Sequence, residues 1–311
     1  MVFTDLEAEF SLLLLSGMTF GNNISNRKRN PMKTNNSTSS AFRFAHDAMT
    51  TFNHIDIHHT DKTYAYSAAQ EAFKELDRLE LLLSRFSEGS DIWQINHAPA
   101  DTKVLIATET YDCLCQSKQL TELTVGAFDI TLGRLIKLWK DNASPATLEI
   151  ESSLKNMGSE FLQISDNDYS VTKLKENLTI DLGAIGKGYI IDKMAEILEE
   201  WELECALISS GNSSFLALDP PPGTDGWNVV CGKTTFRLSQ GSISASGMEA
   251  QGRHIINPRT GIPLPIKSTQ WSMAPTAAIA DAVSTAAMVM NPIEKQIFLD
   301  RCPEIHLIND A

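Results

Sequence analysis

Asp281 and Thr285 form the pair of residues in this sequence whose types and spacing most directly suggest chemistry. Segment 277–290 is rich in alanine and predicts a helix, so a separation of four residues places both side chains on one helical face. A carboxylate beside a hydroxyl suits a small divalent cation such as Mg²⁺, and a carboxylate among apolar neighbours is costly to bury without a partner. The spacing taken alone favours the alternative, a helix-face aspartate and a threonine that bonds back to the helix backbone.

A second candidate is the glycine-rich segment 181–189, Asp-Leu-Gly-Ala-Ile-Gly-Lys-Gly-Tyr. It predicts a strand end, a turn and the start of a helix whose apolar face continues to residue 201. Glycines let the backbone approach a ligand, a helix N-terminus offers free amides to an anion, and Lys187 adds a positive charge. The order G-x-x-G-x-G is neither the dinucleotide-binding fingerprint nor the P-loop. The segment therefore predicts either a phosphate cradle or a plain strand-to-helix connection.

Five short blocks occur in order along residues 42–309. They comprise residues 48–52, 83–90 with 95–96, 126–133 with 138–139, 181–192, and 252–261 followed by 280–285. The third, Gly-Ala-Phe-Asp-Ile-Thr-Leu-Gly, and the fourth, which contains the glycine-rich segment, carry the strongest match. Through these blocks the sequence resembles the ApbE family of FAD:protein FMN transferases. Each block alone is weak, whereas five in the family's order are specific.

The resemblance implies a magnesium-dependent reaction in which FAD is the donor. The pyrophosphate of FAD is cleaved, AMP is released, and FMN is joined through a phosphoester to a Ser or Thr hydroxyl of an acceptor flavoprotein. The implied partners are therefore FAD and an acceptor protein with a Ser/Thr modification site.

The resemblance also implies which residues form the site. The implied ligands of Mg²⁺ are Asp281, Thr285 and the backbone carbonyl of Ala184. The residues implied to hold FAD are Met49, Phe86, Ala127, Phe128, Asp129, Asp181, Lys187, Arg253 and His254. Met49 and the two phenylalanines offer apolar surfaces for the flavin and adenine rings, although any one of them taken alone is better explained as an ordinary core residue.

The chemistry of pyrophosphate cleavage agrees with this set of residues. The charge of the phosphates must be neutralised and an oxygen nucleophile placed in line. A cation held by Asp281 would stabilise the developing charge, with help from Lys187 and from Arg253, which can bind two oxygens at once. His254 titrates near neutral pH and is the candidate base for the acceptor hydroxyl. The predicted catalytic residues are thus Asp281 and His254, with a positioning or structural role as the alternative for His254.

The sequence departs from the family pattern at four positions. Thr50 and Asn212 each replace a glycine, Ser213 replaces a residue that is often acidic, and Asn257 stands where aspartate is commoner. Two alternatives stay open, and the departures at Thr50 and Asn212 support the second of them. One is an FAD pyrophosphatase in which water replaces the acceptor hydroxyl, and the other is a non-catalytic protein that holds or assembles FAD.

The composition excludes some partners. The chain has 311 residues, and its formal net charge of −13 argues against nucleic acid or an anionic membrane, since either needs a basic face. An anionic cofactor must then be attracted locally, by metal, amides and a few cations. The five cysteines are irregularly spaced and complete no zinc site, which favours reduced thiols and a reducing compartment.

Residues 1–41 are predicted to form a partly disordered extension before an ApbE-like domain over 42–311. The apolar run 10–17 is too short to span a bilayer, follows acidic residues and precedes no lipobox cysteine. The sequence therefore predicts no membrane span and favours a cytoplasmic over an exported protein. It leaves the oligomeric state open.

The remaining pattern predicts an α+β fold, with mixed, largely antiparallel sheets and packed helices, because helices and strands come in runs. Strands are predicted at 52–57, 205–208, 215–218, 227–230, 268–273 and 305–308, helices at 67–86, 108–123 and 277–290, and a Ser/Gly-rich loop near the substrate at 239–247.

Overall fold

The computed structural model describes residues 40–231, 234–247, 255–265 and 268–309. Helices in these ranges are α1 (Lys62–Leu83), α2 (Asp91–His97), α3 (Thr108–Leu123), α4 (Gly133–Asp141), α5 (Thr147–Leu154), α6 (Gly186–Glu200), α7 (Ala277–Val289) and α8 (Pro292–Arg301). Strands are β1 (Ser40–Ala48), β2 (Thr51–His59), β3 (Lys103–Leu105), β4 (Leu162–Ser165), β5 (Ser170–Lys173), β6 (Ala206–Ser210), β7 (Ser214–Ala217), β8 (Trp227–Cys231), β9 (Thr234–Leu238), β10 (Gly241–Ser246), β11 (Gln270–Ala274) and β12 (His306–Asn309).

The main sheet has seven strands in the order β1-β2-β6-β7-β10-β11-β12, and all neighbours are antiparallel. Two smaller antiparallel sheets, β3-β5-β4 and β8-β9, accompany it in the described part of the chain. Helix α6 packs on β6 and β7, and α7 packs on β10, β11 and α6. The β8–β9 pair contributes to an apolar cluster that includes Trp227, Phe215 and Trp271. The predicted α+β class is confirmed.

A row of serines crosses the sheet on the face that α7 covers. The strand register pairs Ser210 with Ser214, Ser214 with Ser244, and Ser244 with Ser272. All four are fully buried, and the Ser272 hydroxyl donates to the carbonyl of Ala280 in α7 at 2.5 Å. Because serine side chains are short, this row lets α7 lie close to the strands and fixes its height above the sheet.

The predicted loop at 239–247 is wrong, because most of this segment is strand β10. Ser242 and Ser246 point toward the α7 side, where the Ser242 hydroxyl donates to the carbonyls of Ala274 and Thr276. Ile243 belongs to the cluster with Trp227. The segment thus alternates between serine and apolar residues with a period of two, as a strand does, although its composition resembles that of a loop.

Most other predicted elements are confirmed with shifted ends. Helix 108–123 matches α3, helix 277–290 ends one residue early in α7, and helix 67–86 is α1, which begins after its N-cap Asp61 and ends at Leu83. The strand expected before Asp181 is wrong: Thr179 makes only an isolated bridge to Leu132. Strand β1, which the sequence analysis did not predict, pairs along its whole length with β2.

The predicted extension over 1–41 overlaps the described residues only at its end, where β1 begins at Ser40. The division into 1–41 and 42–311 therefore stays a prediction. No helix within the described ranges combines the length and apolar character needed to cross a membrane.

Candidate functional site

The glycine-rich segment reaches the site as an extended stretch, a turn and a helix. The side chain of Asn96 bonds both backbone groups of Ile180, donating to its carbonyl at 2.9 Å and accepting from its amide at 2.7 Å. The next residue, Asp181, accepts the amide of Gly183 at 2.7 Å through Oδ1. Helix α6 then begins at Gly186, and its N-cap Ile185 offers no side-chain acceptor. The predicted turn and helix start are thus confirmed, with the N-terminus of α6 left uncapped by its own sequence.

Helices α6 and α7 cross in backbone contact at Gly188. A Cβ on Gly188 would lie only 2.1 Å from the carbonyl oxygen of Ala277. The amide of Gly188 donates to Oδ2 of Asp281 at 3.2 Å. This glycine therefore brings the glycine-rich segment together with α7, the helix that carries the candidate metal ligands Asp281 and Thr285.

Asp281 is 4% exposed. Burial raises the pKa of its carboxyl, while the nearby Lys187 charge and the Gly188 amide oppose that rise. One turn later, the Thr285 hydroxyl lies 2.8 Å from the hydroxyl of Ser246. Its distance to the backbone carbonyl of Asp281 is longer, 3.4 Å. The back-bonding alternative for the threonine is thus present as a long contact, and the shorter partner is a hydroxyl of β10.

The two segments face a cavity of about 310 Å³, at the lower end of the range for ligand sites. Predicted site residues in its lining are Ala127, Phe128, Asp129, Asp181, Ala184, Lys187, Asp281 and Thr285. Apolar walls come from Leu132, Ile136, Ala245, Ile255 and Ile256, and further polar atoms from Ser213 and Ser246. Residues distant in the sequence therefore meet at one cleft that combines apolar walls, three carboxylates and a lysine.

Four predicted residues are absent from this lining. Arg253 and His254 lie outside the described residues. Phe86 is 75% exposed, and its ring lies under the guanidinium of Arg85 at 4.6 Å. Met49 lies in the turn between β1 and β2. Their roles toward FAD stay predictions.

The turn that contains Met49 is connected to the cavity through a second turn, the one between β6 and β7. Met49 and Thr50 both have positive φ, 53° and 57°, as a two-residue hairpin turn of type I′ requires. A Cβ on Gly211, in the turn between β6 and β7, would lie 2.8 Å from the hydroxyl of Thr51. Gly211 takes the left-handed conformation of that second turn, with a φ of 58°. The turn also contains Ser213, which lines the cavity.

Two charged contacts at the cavity were not anticipated from the sequence. Nζ of Lys187 donates to the hydroxyl of Ser213 at 2.7 Å, so its described partner is neutral. Nε of Arg85 lies 2.9 Å from Oδ2 of Asp181, and both side chains are mostly buried. Arg85 stands beside the predicted Phe86 in the second sequence block, which was the only available signal for it.

Asp129 and Phe128 contribute a further part of the cavity lining. Oδ1 of Asp129 accepts the amide and the hydroxyl of Thr131, both at 2.7 Å. Burial raises the pKa of Asp129, and these two hydrogen bonds oppose the rise. Phe128 is 2% exposed, so its ring is packed in the core while also contributing to the cavity wall.

The donor set fits a cation that completes its coordination with substrate oxygens. Among the described residues no cluster of three or more His, Cys, Asp or Glu side chains could hold a metal ion. Mg²⁺, however, is often bound by one or two carboxylates together with phosphates and water. Asp281, Thr285 and Ala184 line the same cavity, and the nearly buried carboxylate of Asp281 has one described amide partner at 3.2 Å.

A comparison with protein families matches residues 49–308 to the model described as the ApbE family. The chain is 28% identical over 275 residues to an FAD:protein FMN transferase of Klebsiella pneumoniae, covering 80% of this chain and 78% of that protein. It is also 28% identical over 273 residues to an FAD:protein FMN transferase of Chlamydia pneumoniae, covering 79% and 83%.

Solved structures give the same grouping. The ApbE protein of Thermotoga maritima matches with a TM-score of 0.76 and 26% identity, over 87% of this chain and 94% of that one. The apo form of the flavinyl transferase ApbE of Pseudomonas stutzeri matches with a TM-score of 0.77 and 20% identity, over 88% and 95%. The second likeness concerns the fold alone.

Proposed function

Since this chain belongs to the ApbE family, we propose that it is an FAD:protein FMN transferase. The substrate is FAD, and the acceptor is a Ser or Thr hydroxyl of a flavoprotein. The products are AMP and the acceptor that carries FMN through a phosphoester. The names of the two relatives at 28% identity support this activity. The remainder of the proposal rests on the cleft itself.

The observation that carries the proposal is the contact between the glycine-rich segment and α7. Gly188 and Asp281 are joined at 3.2 Å, and the cleft beside them contains Lys187 and Thr285. A pyrophosphate is a dense negative charge whose cleavage depends on neutralisation and positioning. A helix N-terminus, an ammonium group and oxygen ligands for a cation are the groups that this chemistry uses.

We propose Asp281, Thr285 and the Ala184 carbonyl as the ligands of Mg²⁺. When bound, Mg²⁺ would neutralise charge on the pyrophosphate and stabilise the charge that develops on the leaving AMP. Lys187 supplies a positive charge that its described hydrogen-bond partner, the neutral Ser213 hydroxyl, does not neutralise. Asp129 and the apolar walls around Phe128 are proposed to orient the rest of the nucleotide.

The acceptor side of the reaction depends on residues outside the described ranges. We keep His254 as the proposed base for the acceptor hydroxyl and Arg253 as a phosphate ligand. Phe86 and Met49 are proposed to contact the rings of FAD from beyond the described cavity lining. The test for His254 is its substitution by alanine, which should remove transfer while FAD binding survives.

The proposal is tested by incubating the protein with FAD, MgCl₂ and a flavoprotein domain that another ApbE-family enzyme modifies. Fluorescent flavin on the acceptor in a denaturing gel, together with an equal amount of AMP, is the expected result. Asp281→Asn is the matched control, since it keeps the shape of the side chain and removes its charge; it should yield neither product.

Two other outcomes would overturn the transferase proposal in favour of its alternatives. AMP without labelled acceptor indicates an FAD pyrophosphatase, in which water takes the place of the hydroxyl. Bound yellow flavin without either product indicates a protein that holds FAD without turning it over.

A cytoplasmic location is also part of the proposal. Of the described cysteines, Cys113, Cys115, Cys205 and Cys302 are free thiols, which suits a reducing compartment. Fractionation of cells that make the tagged protein tests it, and recovery in an exported fraction would contradict it.

A further inference from the structure

Asp192 connects α6 to the beginning of α7. Its Oδ1 accepts the amide of Ala277 at 2.7 Å, and its Oδ2 accepts the amide of Ala278 at 2.9 Å. These are the first two residues of α7, whose amides have no partner within their own helix. The N-cap Thr276 serves a later amide, that of Ile279, at 3.3 Å. A carboxylate from another helix thus completes the cap of α7.

Asp192 lies one helical turn after Gly188, so both face α7 from the same side of α6. Gly188 meets the carbonyl of Ala277 and donates to Asp281, while Asp192 holds the amides at the start of the same turn. Two separate points of attachment fix both the position of α7 and its rotation about its axis. That rotation sets the direction in which Asp281 and Thr285 point.

We propose that Asp192 is a positioning residue that holds the first turn of α7 in the rotation that directs Asp281 and Thr285 into the cleft. This inference rests on the proposed function, because it concerns the ligands of the proposed Mg²⁺ site. Asp192 is not part of the described cavity lining. It acts on the reaction through α7 and touches neither the nucleotide nor the metal.

The test compares Asp192→Asn with Thr276→Ala. The Asp192 variant keeps the shape of the side chain and one acceptor oxygen. Its new NH₂ group, however, faces one of the two backbone amides of α7 and cannot accept a hydrogen bond from it. The Thr276 variant also weakens the cap of α7, because it removes the hydroxyl that accepts the Ile279 amide, but it leaves both attachments to α6 in place. Urea unfolding establishes how much stability each variant loses, so that a general loss of stability is separated from misplacement of α7.

Two measurements report on the metal site. One is the Mg²⁺ concentration that gives half-maximal AMP release, and the other is the binding of Mg²⁺ with ADP by titration calorimetry, which needs no turnover. We expect Asp192→Asn to weaken both by about 10-fold, as loss of a supporting contact to a metal ligand does, and Thr276→Ala to change them less than 2-fold. FAD fluorescence quenching without Mg²⁺ should be the same in both variants and in the unmodified protein.

Asp192→Asn with an unchanged Mg²⁺ response in both measurements would overturn the positioning role while leaving the proposed function intact. An unmodified protein with no Mg²⁺-dependent AMP release and no Mg²⁺ binding would instead overturn the proposed function and this inference with it. If Asp192→Asn does not fold, Asp192→Glu decides. It keeps the charge but lengthens the side chain, and an Mg²⁺ response equal to that of the unmodified protein would again contradict the positioning role.

Discussion

Replacement of Gly188 by alanine tests whether the site depends on the close crossing of α6 and α7. The added Cβ would lie 2.1 Å from the Ala277 carbonyl oxygen and 2.7 Å from the Ala278 amide nitrogen. Both neighbours are backbone atoms at the start of α7, so no side chain can rotate away. The two helices would have to separate by about 1 Å to reach an ordinary contact distance.

The expected loss of stability is about 3 kcal/mol. Overpacking of this kind costs about 1–3 kcal/mol, and weakening the hydrogen bond from the residue 188 amide to the buried carboxylate of Asp281 costs about 1.5–3 kcal/mol more. The better helix propensity of alanine offsets about 1 kcal/mol of this. A displacement of about 1 Å at a catalytic group can lower turnover about 100-fold, so metal-dependent AMP release should fall by a similar factor.

Gly186→Ala is the matched control, two residues earlier in the same helix. Its Cβ would meet only the Cβ of Leu182, at an ordinary 3.5 Å. The helix propensity gain is then unopposed, and this variant should be as stable as the unmodified protein or more stable by up to about 1 kcal/mol. Urea unfolding and AMP release are measured on both variants under the same conditions. A Gly188→Ala protein that matches Gly186→Ala in both assays would refute the role given to the helix crossing.

Three further predictions follow from the described contacts. Thr50→Gly should raise the free energy of unfolding in urea by about 0.5–1 kcal/mol, because a β-branched residue is strained at a φ of 57°; an unchanged value would contradict this. Lys187→Met should weaken FAD binding at least about 10-fold, since it removes the positive charge that lines the cavity, whereas Ser213→Ala should not; equal quenching curves would count against it. Burial raises the pKa of Asp281, so the folded state favours the protonated carboxyl and the stability from this group is lost as the pH rises through the folded pKa. Without metal, Asp281→Asn should therefore be more stable than the unmodified protein at pH 8, and urea unfolding in EDTA checks this.

The sequence predicts the local elements whose signals lie within one segment. Helix α3 has the predicted bounds, and α7 differs by one residue. Strand β1 was missed because its hairpin turn is Met49-Thr50, whereas the turns that usually signal a hairpin contain Asn-Gly or Asp-Gly. Asn53 compensates in part, since its side-chain amide donates to the carbonyls of Ala48 and Thr51 across that turn. A local contact between a side chain and the backbone thus stabilises a turn that its two central residues disfavour.

The candidate site was predictable to the extent that its residues occur in characteristic blocks. The blocks carried Asp129, Asp181, Lys187, Asp281 and Thr285, and all of these line one cavity. Residues that act across the fold could not be found in this way. The Arg85–Asp181 ion pair joins positions almost a hundred residues apart, and no local pattern indicates that two such segments will be neighbours.

The three glycines at the start of α6 illustrate this limit most clearly. In the phosphate-cradle alternative, the sequence gives all of them one task, a close approach of the backbone to phosphate. In the structure Gly183 donates its amide to Asp181, and Gly186 begins the helix without a close contact at its Cβ position. Gly188 is required by another helix, because any side chain there would strike the backbone of α7. A glycine motif therefore indicates where another group comes close to the backbone, and only the fold identifies whether that group is a ligand or a second helix.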